Sequence, residues 1–235
     1  MKRFIRPEAS RYRSSGVVMG GIAALTLLSA LYFFSAVGRL DDSEDSRMFR
    51  DYSSVVALSF TVTLAVVAVY GAVVYSHRVV GDYVGARRIR IYRYPGGRKP
   101  LFLAKNVAYA STAAFATGIG VAIGLAVYFL IELFAPMVRQ SSPADSLDTI
   151  VFGWVTDVVL STAVVVGAGL VGVRRQSRVA TIVTAVVAIA LLGNGVALAL
   201  NGQAWAAGAV SLCVAGLVWA LVIHQGTRID RDEVL

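Results

Sequence analysis

The chain alternates six long, predominantly apolar stretches with short polar segments. The apolar runs lie at Gly16 to Val37, Val55 to Ser76, Val107 to Phe134, Ile150 to Val173, Val179 to Leu200 and Ala204 to Ile223, each 20 to 28 residues long. About 20 apolar residues in a helix cross the roughly 30 Å hydrocarbon core of a bilayer. None of the runs shows the polar–apolar alternation of a barrel strand, and inside hydrocarbon only helices and closed barrels satisfy the backbone. The pattern predicts an all-α, polytopic membrane protein with six transmembrane helices forming one domain over residues 1–235. The first run follows Lys2, Arg3, Arg6, Arg11 and Arg13 as a signal peptide would. It is longer than the roughly 7 to 15 apolar residues of a signal core and lacks a convincing small-x-small cleavage site, so a retained helix is expected.

Composition agrees with this reading. Hydrophobic residues make up 57% of the chain and charged residues 15%, against about 25% charged in soluble domains. No polar stretch is long enough to bury a core of its own. The net charge of +8 sorts by side and does not point to nucleic acid. With both termini in the cytoplasm, 18 of the 22 Lys and Arg residues fall on the inner side. The outer segments keep only Arg39, Arg47, Arg50 and Arg139, beside Asp41, Asp42, Glu44, Asp45 and Asp51. The excess of Lys and Arg in cytoplasmic loops predicts cytoplasmic N- and C-termini and a multi-pass protein of the cytoplasmic membrane.

Candidate chemistry is sparse. A lone Cys213 excludes an internal disulfide, and His77 and His224 stand too far apart in sequence for a recognisable metal-ligand motif. Gly167, Gly169 and Gly172 have dinucleotide-turn spacing, but they lie inside an apolar helix with no acidic residue about 20 positions on. They are expected to let helices approach closely, as are Gly118, Gly120 and Gly124. No P-loop sequence is present, and no catalytic site is expected in this chain. Two ionisable residues fall in apolar runs, Glu132 and Asp157. Both are placed near the outer face, where each reaches interfacial water, the alternative being a substrate-path or interhelical polar role. Cys213 is expected to be a small buried apolar residue. Gly193-Asn194-Gly195 either continues the fifth helix or ends it before a re-entrant segment.

The segment from His77 to Lys105 carries eight of the basic residues, which favours contact with anionic lipid headgroups. Charge does not account for its order along the chain: Asp82-Tyr83-Val84-Gly85, then Pro95, Arg98 and Lys105. This order resembles the cytoplasmic signature of type-2 ABC exporter permeases, in which an acid, a glycine, a proline–arginine turn and a lysine follow the second of six helices. Asp82 stands here where that family usually has glutamate, and Ala86 where Thr or Ser usually follows the glycine. The resemblance implies that the 77–105 loop couples to a separate P-loop ATPase subunit, with Asp82 and Gly85 in the coupling element, Pro95 and Arg98 in its turn and Lys105 at the entry to helix three. It also implies a second permease subunit, and ATP and magnesium held by the partner rather than by this chain. The small outer segments favour an amphipathic or lipid-like substrate taken from the membrane. A non-transporting membrane scaffold or accessory subunit is the alternative from a different class.

Overall fold

The computed structural model describes residues 2–40, 49–85, 97–138 and 146–231. Among these, six long helices carry the fold: α1 (Lys2–Leu40), α2 (Tyr52–Arg78), α3 (Arg98–Glu132), α4 (Leu147–Arg174), α5 (Arg178–Gly202) and α6 (Ala204–Arg231). All six are long and apolar enough to cross a membrane. The protein is therefore all-helical, with the six spans that the apolar pattern predicts.

The helices outrun the apolar runs at the basic end. The 39 residues of α1 reach about 58 Å, and the 35 of α3 about 52 Å, at 1.5 Å per residue. Hydropathy marks the hydrocarbon crossing, whereas a helix continues while its backbone bonds and packing persist, here through Tyr12 on α1 and Leu101 and Phe102 on α3, all buried. α5 also continues through Gly193-Asn194-Gly195 to Gly202 without a re-entrant break.

Packing does not follow chain order. The most extensive contact is between α1 and α3; α2 packs on α4, α5 and α1, and α4 also on α6, while α2 and α3 keep their backbones apart and meet through long side chains. The α1–α3 crossing brings backbone against backbone. A Cβ placed on Gly120 would fall on the Gly20 carbonyl oxygen, and one on Gly124 would lie 3.0 Å from the Ala24 oxygen. The glycines of α4 each meet a different helix. Gly169 receives the Tyr75 ring of α2, Gly172 receives Thr181 of α5, and Gly167 faces Val218 of α6. Small residues thus supply the close approach that lipid, being as apolar as leucine, does not drive.

Four helices meet around Gly71, where an added Cβ would lie 2.9 Å from Tyr109 Oη and Val165 Cγ2 and 3.4 Å from Met19 Cε. α5 lies outside this centre, burying only Thr181, Ala185, Val196 and Leu200. α4 and α5 are joined by a tight turn in which Gln176 takes φ 49°. Ser177 N–H bonds back to the Gly172 carbonyl at 3.0 Å, and Ser177 Oγ caps α5 by accepting from Ala180 N–H at 3.3 Å. That combination closes one helix in left-handed backbone and starts the next on a serine cap.

Candidate functional site

The basic segments converge at one end of the bundle. α2 ends at Arg78, and a 3-10 turn over Val80–Asp82 carries Asp82 back to α3. There the Asp82 carboxylate pairs with Lys105 Nζ. Lys105 is buried at 4% exposure and Asp82 keeps 17% of its side chain open. The ammonium also lies 5.8 Å from the Tyr83 ring centroid, and that ring stands edge-on to Phe102. α1 joins through Arg11, whose Nη1 lies 3.9 Å from Asp82 Oδ2 and 3.2 Å from Glu8 Oε2. Arg78 Nη1 donates to the Arg11 carbonyl at 3.4 Å. The guanidinium of Arg178 of α5 occupies the space beside Gly81 that a Cβ there would need.

Beneath this clasp the bundle interior stays polar. Tyr75 Oη donates to Asn106 Oδ1 at 2.5 Å, Asn106 Nδ2 to the Phe102 carbonyl at 2.8 Å, and Tyr109 Oη to the Gly71 carbonyl at 3.0 Å. The rings of Tyr12 and Tyr75 both meet Tyr109 edge-on. A group of donors and aromatic edges thus ties α1, α2 and α3 immediately below the ion pair.

The residues singled out from the sequence separate into two kinds. Asp82 and Lys105 come together and face inward. Gly85 is exposed, in left-handed backbone at φ +64°, with nothing within 4 Å of an added Cβ among the described residues. Arg98 is the first residue of α3, so Lys105 lies two turns inside that helix. Pro95 lies outside the described residues.

At the opposite end, Glu132 is buried and engaged through one of its two oxygens. Its Oε1 accepts from Tyr52 Oη at 2.7 Å, Met137 N–H at 2.7 Å and Val138 N–H at 3.0 Å. The carboxylate holds the chain leaving α3 against the start of α2. It does not reach outward to water as a lone acid would. The same end is cross-tied by Ser35 and Tyr128 at 2.7 Å and by Ser54 Oγ donating to Asn201 Oδ1 at 2.9 Å.

Asp157 departs furthest from the interfacial reading. It is 1% exposed, and neither carboxylate oxygen has a hydrogen-bond partner among the described residues. On the faces that meet at Gly71, Tyr109 and Val165, a step of two turns away from the clasp reaches Leu64, Thr117 and Asp157. The Thr117 hydroxyl is likewise buried and unpartnered, as is that of Thr156.

Cys213 is exposed, not buried as expected: α6 is apolar on nearly every face, and its composition does not say which face packs. His77 and His224 are exposed at the basic end, and no group of three or more His, Cys, Asp or Glu capable of holding a metal occurs among the described residues. Sequence reasoning missed Arg11, Tyr12, Tyr52, Tyr75 and Tyr109. For Tyr75 and Tyr109 the available signal was tyrosine within otherwise aliphatic runs, where a hydroxyl needs a partner.

The chain matches no protein-family model, no curated protein and no solved structure.

Proposed function

We propose that this chain is the membrane-spanning subunit of an ATP-driven exporter, working with a separate soluble P-loop ATPase and a second membrane-spanning subunit. One observation carries the reading. Asp82 and Lys105, which frame the loop resembling the permease signature, close on each other and are tied through Arg11 to α1. A force applied to the intervening segment then acts on α1, α2 and α3 together, as indirect coupling to a partner requires. Gly85, exposed beside the clasp in backbone that L-residues rarely adopt, supplies a shape for a groove to recognise.

The test separates shape from charge. Gly85→Val and Pro95→Ala keep every charge, yet are expected to release the ATPase or to uncouple its hydrolysis from transport in reconstituted vesicles. A lipid anchor depends on charge count and weakens with salt. If both variants keep full partner binding and coupled activity while charge removal alone abolishes them, the exporter reading fails and the scaffold reading replaces it.

A further inference from the structure

The outer end contains a cavity of about 860 Å³ between the end of α3, the start of α4 and Tyr52 of α2. Its walls are apolar, including Ala126, Phe129, Leu130, Leu133 and Ile150, and among them stands one carboxylate, Glu132. The rim residues Leu130, Leu133 and Leu147 are each more than half exposed, so the cavity opens sideways toward the lipid between α3 and α4. From Ala126 to Leu133 it follows about 10 Å of helix.

Glu132 is not spent on a cation. All three of its hydrogen bonds end on Oε1, which leaves Oε2 as the acceptor available to an occupant. Arg39 directs its guanidinium to Met137 Sδ at 3.7 Å, and no ion pair to Glu132 is formed among the described residues. The volume lies within the roughly 300–1,000 Å³ of small-molecule sites, which combine apolar walls with a few placed polar groups. A single carboxylate on an otherwise apolar wall, without an ion-pair partner among the described residues, selects the sign of the ligand.

We infer that this cavity binds a cationic amphiphile entering from the membrane, its amine or ammonium head at Glu132 and its apolar tail against the α3 and α4 walls. The inference rests on the exporter reading in naming the class of substrate moved. Binding itself needs no ATPase.

The purified full chain in lipid nanodiscs, with no ATPase present, is photolabelled with three diazirine probes of one alkyl chain length. Their heads are trimethylammonium, phosphocholine and sulfate, and the labelled residues are mapped by mass. The expected result is saturable labelling of α3 and α4 wall residues by the trimethylammonium probe alone, competed by dodecylamine. Glu132→Gln retains an oxygen acceptor for Tyr52 and the two backbone N–H groups. It is expected to keep the melting temperature and lose about tenfold or more in labelling affinity, the scale of one hydrogen bond to a charged group. Ala126→Phe, which fills the cavity and leaves Glu132 in place, is expected to abolish labelling, and it decides the matter if Glu132→Gln unfolds. Equal labelling by all three heads, preference for phosphocholine or sulfate, no labelling, or indifference to the cavity variants overturns the proposal. A failure here leaves the ATPase docking test untouched, and failed docking leaves this binding measurable.

Discussion

The Asp82–Lys105 clasp makes an asymmetric prediction. Asp82→Ala leaves the ammonium of Lys105, 4% exposed, without its carboxylate, and a buried charge stripped of its partner costs about 3–5 kcal/mol. Lys105→Met strands Asp82 instead, but that side chain is 17% exposed and keeps Arg11 at 3.9 Å. Solvent and the second cation soften the loss to about 1–2 kcal/mol. The double variant removes both charges together, stranding neither and leaving Arg11 its pairing with Glu8, and is expected to lie within about 1 kcal/mol of the parent. The two single losses therefore exceed the double loss by about 3 kcal/mol or more. Unfolding in mixed micelles, followed by fluorescence of Trp154, Trp205 and Trp219, reads all four corners of the cycle. Additivity within about 0.5 kcal/mol refutes the clasp as an energetic unit. A larger loss for Lys105→Met than for Asp82→Ala refutes the burial argument that orders them.

Four further outcomes are expected. Gly120→Ala forces a methyl onto the Gly20 carbonyl and should lower the melting temperature by several degrees, while Gly216→Ala, with nothing within 4 Å, should leave it unchanged. Asp157→Val removes two buried oxygens that have no partner among the described residues and should raise stability by about 1–3 kcal/mol; a loss in the same unfolding assay refutes this. Glu132→Leu leaves Tyr52 Oη and two backbone N–H groups without their acceptor and should cost about 1–3 kcal/mol, unlike Glu132→Gln. In a Cys213→Ser background, an impermeant thiol reagent applied to intact cells should label Ser46→Cys and spare Ser177→Cys. Labelling at 177 overturns the cytoplasmic placement of the termini.

The six spans were legible because a bilayer imposes a length and a composition that survive in any window of about 20 residues. Helix starts were less so. α3 begins at Arg98, nine residues ahead of its apolar run, because polar residues extend a helix wherever packing supports it. The positions of Asp82 and Lys105 were visible in the sequence, but their pairing was not, since it depends on the Val80–Asp82 turn and on the return of the chain 23 residues later. Glu132 and Asp157 look alike as lone acids in apolar runs. Their difference comes from Tyr52, 80 residues away, and from two backbone N–H groups just beyond α3, which no spacing rule announces. Gly118, Gly120 and Gly124 were read as packing residues. Only Gly120 and Gly124 meet the α1 backbone, while Gly118 looks toward Val158 and Trp154 at 3.7 and 3.8 Å.

The way α3 packs mainly on α1 and less on its chain neighbour α2 bears on how the protein is made. Spans leave the translocon in order, so α1 and α2 enter the lipid before either has its principal partner. The glycine face of α1 is covered once α3 arrives, and a nascent chain ending after α3 already has the means to hold that backbone-on-backbone pair. α2 waits longer: it has α1 beside it, but the rest of its buried face, from Ser54 to Ser76, is closed by α4 and α5. Asp157 therefore enters the bilayer on α4, the helix that completes the meeting of four helices at Gly71.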